Sequence, residues 1–588
     1  MNAVVHSDAH SDTKSRIVDL ISQALTVVAP GATVGNIVLE RPKLAAHGDF
    51  SCNVAMQLAK ALRAKPRDIA QQLLAALPAS EHIEKAEIAG AGFINIFLKA
   101  SVKQAVANHI LAAGAAYGTR LVRKGDSVQV EFVSANPTGP LHVGHGRGAA
   151  YGACLANVLA AAGHEVSREF YINDAGRQMD ILALSVWLRY LEARQVALTF
   201  PDDGYRGDYV RDIAASLEKA HGATLVRERA PQAPANASDA DTALDGMITD
   251  AKALLGEQWR TLFKHALDGM VADQRDDLGQ FSVTFDRWYS EQTLHEGGNG
   301  NDGGAVGKVI AQLQAGGHLY DQDGALWFRS TSFGDEKDRV VRRENGAYTY
   351  FASDIAYHAD KFARGYARMI DVWGADHHGY IARVKGALKA LGLNPDKLII
   401  TLVQFAVLYR GGEKIAMGKR SGDFVTLRDL RNEVGNDAAR FFYVLRKSDQ
   451  HLDFDLDLAK SKSNENPVYY IQYAHARVCS VYEQWGGDAA TLKAADTTAL
   501  DTAAELELLG KLAEYPEMIA HAAREMAPHV LAFYLKDVAG LFHGYYNATR
   551  FLVDDARVRD ARLALAGAVR VVLANGLRLL GVAAPEKM

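Results

Sequence analysis

Two histidines separated by a valine and a glycine, His142 to His145, stand where a predicted strand gives way to a predicted helix. The first backbone N–H groups of a helix are unpaired and carry a partial positive charge, which favours a bound phosphate. Gly144 lets the backbone approach a ligand closely, and both imidazoles can donate hydrogen bonds to charge that develops on phosphate oxygens. The pattern therefore predicts a nucleoside triphosphate site in which neither histidine is a nucleophile. The four residues alone are equally compatible with two histidines that are simply hydrogen-bonded in a loop.

Two acidic residues and a tyrosine could form a second site beside the first. Glu131 lies at the end of the predicted strand, and carboxyl ends of strands in open α/β sheets face the ligand crevice. Tyr350 and Asp354 are four residues apart, so they share one face of a predicted helix. This set would suit a planar cation, because guanidinium pairs with carboxylates and stacks on aromatic rings. Each residue alone could instead be solvated or cap a helix.

The elements that must position these residues divide the chain into three parts. Residues 1–122 alternate helical and strand-like patterns, which indicates a small α+β domain whose Pro66 fits the first turn of a helix. Residues 123–460 begin strand, helix, strand, the layout of a Rossmann-like parallel sheet that binds nucleotides, with an insertion at about 200–346. Residues 461–588 repeat apolar residues at three and four, which predicts an all-α helix bundle. The expected fold is therefore α/β with two flanking domains, and the glycine-rich stretch 297–304 is expected to be a loop.

Composition sets limits on the class of protein. The 588 residues include 65 basic and 70 acidic ones, a net charge of −5, which argues against a generally basic nucleic-acid coat but leaves room for a local basic face. The three cysteines are far apart, so neither a disulfide framework nor a thiolate zinc site is expected. The N-terminal residues lack the apolar segment of a signal peptide, and no apolar run is long enough for a membrane span. A cytoplasmic location without membrane attachment is predicted.

A lysine-containing loop follows the sheet region. The segment 411–430, GGEKIAMGKRSGDFVTLRDL, lies between strand-like KLIITLVQF and helical LRDLRNEVG. Taken alone, such a loop is most often only solvated.

Both segments resemble the signature motifs of one enzyme class. The string ANPTGPLHVGH, residues 135–145, resembles the HIGH motif of class I aminoacyl-tRNA synthetases in its arginyl-tRNA synthetase form. Residues 417–422, MGKRSG, look like the KMSKS loop of that class, with Lys419 as the second lysine. Ala416, Gly418 and Arg420 depart from the pattern at the first lysine and the two serines. The roles of these three positions stay open.

The resemblance implies a set of site residues. The catalytic residues would be His142, His145 and Lys419. The arginine-binding residues would be Glu131, Ser134, Asn136, Tyr350, Asp354 and Asp376, the last beside His377. The ATP-binding residues would be Asn136, Pro137, Thr138, Gly139, His142, Gly144, His145, His378, Met417 and Lys419.

The flanking domains resemble the tRNA-binding parts of the same family. Residues 47–70 are similar to its extra N-terminal domain, which touches the outer corner of the tRNA, although a generic accessory domain has the same composition. The C-terminal helices resemble the anticodon-binding domain. Candidates for base contacts are Tyr469, Tyr470, Tyr473, Tyr545, Tyr546 and Asn547, and candidates for acceptor-end phosphates are Arg339, Arg342 and Arg343. Aromatic residues on helices more often belong to a core.

The implied activity is ATP-dependent ligation of arginine to tRNA(Arg) through an arginyl-adenylate, with Mg²⁺ on the phosphates, no zinc, no editing domain and a monomeric chain. Three alternatives remain. One is another class I synthetase, although the Glu131 and Asp354 pocket argues against apolar substrates and the lack of paired cysteines against a zinc-dependent cysteine enzyme. A small nucleotidyltransferase would have little need for a C-terminal helical domain, and a non-catalytic paralogue would be expected to have lost His142, His145 or Lys419, all of which are present.

Overall fold

The computed structural model describes residues 9–31, 35–42, 44–296, 304–415 and 425–588. The chain forms two compact units. One unit contains the described residues up to Arg120 together with 462–579 and 583–588, and the other contains 121–461 and 580–582. The predicted first and third parts of the chain thus share one unit, although they lie at opposite ends of the sequence.

The first part is an α+β layer structure, as expected. Its elements are α1 (Ala9–Val28), β1 (Leu39–Glu40), β2 (Phe50–Cys52), α2 (Val54–Leu62), α3 (Pro66–Ala75), β3 (Ile83–Ala89), β4 (Phe93–Leu98) and α4 (Ala100–Ala113). The strands form an antiparallel sheet of order β1-β2-β4-β3. Pro66 is the first residue of α3, where its missing N–H costs no helical hydrogen bond.

The second unit contains a five-stranded parallel sheet of order β12-β11-β5-β6-β7. Its elements in chain order are β5 (Ser127–Glu131), α5 (Val143–Ala161), β6 (Glu165–Ile172), α6 (Arg177–Ala193), α7 (Asp208–His221), α8 (Ala240–Leu255), α9 (Gln258–Gln280), β7 (Arg287–Ser290), α10 (Gly304–Ala315), β8 (Leu319–Gln322), β9 (Ala325–Phe328), β10 (Arg339–Arg342), α11 (Tyr350–Ala363), β11 (Arg368–Gly374), α12 (Ile381–Ala390), β12 (Leu398–Val403), β13 (Ala406–Arg410), β14 (Glu413–Lys414), α13 (Leu427–Val434), α14 (Asn436–Val444), β15 (Leu452–Asp455) and α15 (Leu456–Lys460).

The central strand and helix of this unit pack at close range. Strand β5 lies between β11 and β6, and its Val128 and Val130 are fully buried. Helix α5 follows it, and a Cβ atom at Gly152 would overlap the ring of Phe132. Glycine is therefore required for α5 to approach the sheet this closely. The contact places the middle of α5 against the residue that follows β5.

The stretch 200–346 is not wholly an insertion, and the expectation that it only interrupts the sheet is wrong. Helices α6 to α9 enclose a hydrophobic core of their own, which includes Trp187, Leu217 and Leu262. Strand β7 then returns to the sheet and pairs in parallel with β6. A strand of four residues carries too weak a pattern to reveal an edge strand. Of the glycine-rich stretch 297–304, only Gly304 lies within the described residues, where it begins α10.

The C-terminal part is helical, as expected. Its helices are α16 (Pro467–Trp485), α17 (Ala503–Ala513), α18 (Tyr515–Arg524), α19 (His529–Ala548) and α20 (Ala556–Leu580). Helix α20 is long and apolar enough to cross a membrane, but 78% of its most apolar window is buried inside the fold. Its apolar composition is thus that of a core helix.

Helices from the C-terminal part pack directly on the N-terminal part. The Tyr117 hydroxyl donates to the carbonyl of Leu512 at 3.1 Å, and the Asn575 amide donates to the carbonyl of Gly114 at 2.9 Å. An ion pair of 3.0 Å joins Lys14 to Glu517. These contacts explain why the two ends of the chain form one unit.

Candidate active site

The two histidines cap the beginning of α5. His142 is the N-cap residue, and its Nδ1 accepts a hydrogen bond from the backbone N–H of Gly144 at 3.0 Å. The backbone N–H of His142 in turn donates to Nδ1 of His145 at 3.2 Å, and the two rings stack with centroids 3.7 Å apart. Because both Nδ1 atoms accept, the proton of each neutral ring resides on Nε2. Both imidazoles thus present an Nε2–H donor at the beginning of α5.

The chain just after the lysine loop pairs with this turn. The N–H of Val143 donates to the carbonyl of Val425 at 3.2 Å, and the N–H of Leu427 donates to the carbonyl of Leu141 at 2.8 Å. Thr426 caps α13 in a reciprocal arrangement with Asp429. The predictions for Ala416, Met417, Gly418, Lys419 and Arg420 lie outside the described residues. The described end of that loop nevertheless lies directly against the histidine turn.

The loop that precedes the histidines is held by side chains from several elements. The Asn136 side chain accepts from the Asn173 amide at 3.1 Å and donates to Gln178 at 3.0 Å. The Tyr209 hydroxyl donates to the carbonyl of Thr138 at 2.8 Å. The Gln274 amide donates to the carbonyls of Asn136 and Gly139, both at 3.0 Å. Residues 136–139 are therefore fixed by donors on α7 and α9.

A strained turn connects β5 to this loop. Val133 and Ser134 adopt φ angles of 70° and 40°, a conformation that costs a non-glycine residue about 1–3 kcal/mol. The turn directs the Ser134 hydroxyl to Glu131 Oε1 at 2.9 Å, while the same hydroxyl accepts from the N–H of Tyr171 at 3.1 Å. Such strain is typical of residues that the fold forces into a functional position.

Acidic side chains converge on a pocket at the carboxyl ends of β5 and β7. Burial raises the pKa of Asp354 to about 6, and the nearby carboxylates of Glu291 and Glu131 add to the rise, against a hydrogen bond from Tyr380. The Tyr171 hydroxyl hydrogen-bonds to Glu291, and burial together with Glu291, Asp354 and Glu131 raises the pKa of that tyrosine. Carboxylates grouped in this way destabilise one another unless cations compensate them, and, in the part of the chain that the structure describes, only Glu131 of the three forms an ion pair with a lysine, Lys361. The pocket is therefore suited to a positively charged side chain.

Sequence reasoning missed Glu291, Tyr171 and Tyr380. Glu291 is 2% exposed and comes directly after the short strand β7, which the sequence did not reveal. Tyr171 lies in β6 and Tyr380 closes the turn 375–380. The signal that could have found Glu291 is its place at the carboxyl end of a strand, once β7 is recognised.

Glu131 is already part of a buried charge network. Its Oε2 accepts from the Tyr357 hydroxyl at 2.9 Å and pairs with Lys361, which also pairs with Asp371 at 2.7 Å. Burial by itself would lower the pKa of Lys361, but Asp371 and Glu131 raise it overall. His358 contacts the other oxygen of Asp371 at 2.9 Å. The network holds Glu131 in place rather than leaving both of its oxygens to a ligand.

The remaining predicted pocket residues lie nearer the surface. Tyr350 begins α11 one turn before Asp354, so the predicted common face is present, and its ring is 54% exposed. Asp376, His377 and His378 lie in the exposed turn after β11, with the Asp376 side chain 60% exposed. From this segment it is Tyr380, and not Asp376, that contacts Asp354.

The predicted tRNA-binding residues separate into core and surface. Tyr545 is buried and donates to Glu505 at 2.8 Å, so it is a core residue and the expectation that it contacts RNA is wrong. Tyr473 and Tyr546 are half-buried, and the Arg477 guanidinium lies over both rings at 4.4 and 4.7 Å. Asn547 is exposed and within 3.5 Å of Arg477. Arg477, which sequence reasoning missed, is the centre of this aromatic and basic surface.

The other candidates on these helices and strands differ in their environment. Tyr469 stacks on Tyr473 with centroids 5.9 Å apart, and Tyr470 packs on His543 at 4.5 Å. Arg343 is exposed.

Two of the three predicted phosphate-binding arginines lie in β10. Arg339 forms a two-point pair with Asp335 at 2.8 Å, so its charge is already compensated. Arg342 is half-buried.

Comparisons with known proteins identify the class. The profile described as "tRNA synthetases class I (R), catalytic domain" matches residues 106–451, so the parallel sheet and the histidine turn are those of a class I aminoacyl-tRNA synthetase. The profiles "Arginyl tRNA synthetase N terminal domain" and "DALR anticodon binding domain" match residues 15–98 and 471–588. The chain belongs to the arginyl-tRNA synthetase family. The predicted family and fold class are thereby confirmed.

The sequence similarity to known members of the family extends over nearly their whole length. The arginine–tRNA ligase of Nitrosospira multiformis is 61% identical, with 98% of this chain and 99% of the relative covered. That of Dechloromonas aromatica is 59% identical, with 98% and 100% covered. The structure of Thermus thermophilus arginyl-tRNA synthetase is 25% identical with a TM-score of 0.73, over 98% and 100% of the two chains.

Proposed function

We propose that the acidic pocket, the 136–139 loop and the histidine turn together carry out the arginine–tRNA ligase reaction of this family. The chain is an ATP-dependent ligase that joins arginine to tRNA. The observation that carries the assignment of the site is the position of Glu131. It ends β5 on the acidic pocket, and the next residues of the chain form the loop and turn that suit a nucleotide. The amino acid and ATP would thus meet at the carboxyl end of one strand.

The acidic pocket supplies the specificity for arginine. A guanidinium or an α-ammonium group would compensate the carboxylates of Asp354 and Glu291, beside the Glu131 carboxylate that Lys361 already compensates, and binding would keep Asp354 ionised. The proposed arginine-binding residues are Glu131, Ser134, Asn136, Tyr350, Asp354 and Asp376, to which the structure leads us to add Glu291 and Tyr380. A neutral side chain would leave Asp354 and Glu291 uncompensated, which selects against it.

The histidine turn supplies the chemistry of activation. The carboxylate of arginine attacks the α-phosphorus of ATP, the bond to pyrophosphate breaks, and arginyl-adenylate forms. The Nε2–H groups of His142 and His145, with Lys419, stabilise the negative charge on the phosphate oxygens. The proposed ATP contacts also include Asn136, Pro137, Thr138, Gly139, Gly144, His378 and Met417. A terminal ribose hydroxyl of the tRNA then attacks the anhydride carbonyl, and AMP leaves.

Magnesium would accompany the triphosphate. Within the residues that the structure describes, no three His, Cys, Asp or Glu side chains are grouped so that they could hold a metal ion. Mg²⁺ would supply charge neutralisation on the phosphate oxygens when bound.

The outer parts of the chain are proposed to bind tRNA. Tyr473, Arg477 and Asn547 form a surface on which unstacked anticodon bases could stack, and Arg343 is an exposed candidate for the acceptor end. We also propose the domain boundaries 1–122, 123–460 and 461–588, a monomeric state and a cytoplasmic location.

An aminoacylation assay tests the proposed function. The purified chain is incubated with ATP, Mg²⁺ and total tRNA, and each labelled amino acid is offered in turn. Incorporation of arginine alone into acid-precipitable RNA is expected. Incorporation of another amino acid would refute the assignment of the pocket, and transfer of the adenylyl group to a small acceptor without charged tRNA would refute the ligase function.

A further inference from the structure

Two side chains far along the sequence hold the loop proposed for ATP. Three of the four backbone carbonyls in residues 136–139 accept hydrogen bonds from Tyr209 on α7 or Gln274 on α9. Gln274 is 1% exposed, and Tyr209 is half-buried. Loops between a strand and a helix are normally stabilised by their own turn hydrogen bonds. Here the bonds come from helices of the stretch 200–346.

Helix α9 also contacts α13, the helix that follows the lysine-containing loop. Asp273 pairs with Arg428 at 2.8 Å, and Asp277 pairs with the buried Arg431 at 3.0 Å. Both arginines lie on α13, whose capping residue Thr426 bridges to the histidine turn. On α9, residues 273 and 277 thus contact α13, while residue 274 contacts the 136–139 loop.

We infer that Tyr209 and Gln274 are positioning residues for ATP binding. Through them, α7 and α9 hold the 136–139 loop in place, and α9 also contacts α13. This inference rests on the proposed assignment of the loop to ATP. Loss of a donor frees the loop to leave the geometry in which the phosphates fit, and this lowers ATP affinity without contact to ATP.

The test uses variants that remove only the donors. Tyr209→Phe keeps the ring and deletes one hydroxyl, and Gln274→Met keeps the length of the side chain and deletes both amide bonds. The matched control is Tyr190→Phe, because the Tyr190 hydroxyl also donates to a backbone carbonyl, that of Gly222 at 2.6 Å, away from the loop. All three variants are made in the full chain.

Two readouts are compared. The first is the KM for ATP in aminoacylation at saturating arginine and tRNA, set against kcat. The second is the increase in the unfolding midpoint that ATP produces in each variant. We expect the KM for ATP to rise about threefold to tenfold in Tyr209→Phe and tenfold or more in Gln274→Met, since a hydrogen bond typically contributes about 0.5–1.5 kcal/mol. The unfolding midpoint without ATP should match that of the control to within a few degrees.

An unchanged KM for ATP and an unchanged ATP-dependent midpoint in both variants would overturn the inference. An equal rise of KM in Tyr190→Phe would also overturn it, because the effect would then reflect general loosening of the helices. A wild-type chain that ATP stabilises but that charges no tRNA would refute the proposed function instead. The ATP-dependent unfolding midpoints of the variants would still show whether Tyr209 and Gln274 support ATP binding.

Discussion

Replacing Asp354 by asparagine is expected to stabilise the ligand-free protein and to lower its kcat/KM for arginine. Burial and the neighbouring acids raise the pKa of this carboxyl from 3.8 to about 6, so holding it ionised costs the folded state free energy. The difference between these two pKa values corresponds to a loss of unfolding free energy of about 3 kcal/mol at neutral pH. Asparagine has nearly the same shape and no charge, so it removes that cost. We expect a gain in unfolding free energy of about 1–3 kcal/mol.

The gain depends on pH with a definite sign. Below pH 3.8 the carboxyl is protonated in both the folded and the unfolded state, and the ionisation cost is absent. Between pH 3.8 and about 6 the carboxyl ionises in the unfolded state but stays protonated in the folded state, so the cost grows with pH and is fully developed above about 6. The difference in stability between Asp354→Asn and wild type should therefore be largest at pH 7–8 and disappear near pH 4.

The efficiency of arginine charging should fall, rather than rise, when Asp354 loses its charge. Bound arginine requires the ionised carboxylate, so the wild-type kcat/KM for arginine should fall about tenfold per pH unit below about 6. Asp354→Asn should lower kcat/KM about 10- to 150-fold at pH 7.5, because a hydrogen bond to a charged group contributes about 1.5–3 kcal/mol.

The assays are urea unfolding from pH 4 to pH 8 and initial rates of arginine charging over pH 5.5 to 8. Asp376→Asn serves as the control for stability, since its exposed carboxylate has no burial cost to remove. A loss of stability in Asp354→Asn at pH 7.5, or a gain that persists at pH 4, would refute the reasoning from the pocket's electrostatics.

Three further predictions concern other parts of the chain. His145→Ala should lower kcat about 100- to 1,000-fold in single-turnover charging, with a stability loss of only about 1 kcal/mol from the missing cap; a small kcat effect would contradict the role in catalysis. Lys361→Met should cost about 3–5 kcal/mol in urea unfolding, because the buried carboxylates it pairs with remain uncompensated, and an unchanged midpoint would contradict this. Tyr473→Ala should weaken tRNA binding by a factor of about ten in filter-binding assays, whereas Tyr545→Phe should leave it unchanged; the reverse order would contradict the placement of these rings.

Local sequence patterns predicted the elements at the histidine turn. The apolar strand, the prolines and the helix that follows depend on neighbouring residues, so their order could be read from residues 127–161 alone. The face shared by Tyr350 and Asp354 is likewise a property of one helix. These parts of the site are local in sequence, and the structure has them as expected.

Contacts between distant segments could not be predicted in this way. Lys361 looks like an ordinary surface lysine of an amphipathic helix, and only the fold shows that two acids surround it in the core. Glu291 is far from Glu131 in sequence, and its strand has only four residues. Tyr473 and Tyr545 have similar helical surroundings in sequence, yet one ring faces the surface and the other the core. Which partner a residue meets is set by tertiary packing that no short pattern contains.

The joining of both chain ends in one unit has a consequence for biosynthesis. The residues that α4 and its following turn bind, among them Leu512 and Asn575, are translated only after the whole of residues 121–461. At ~5–20 residues per second this takes roughly 20–70 s. During that time the face of the N-terminal part that later contacts α17 and α20 is uncovered. The second unit, contiguous apart from its last three residues, can already fold. A chain that stops early would keep that face uncovered, so premature termination should produce an aggregation-prone or protease-sensitive fragment rather than a smaller working enzyme.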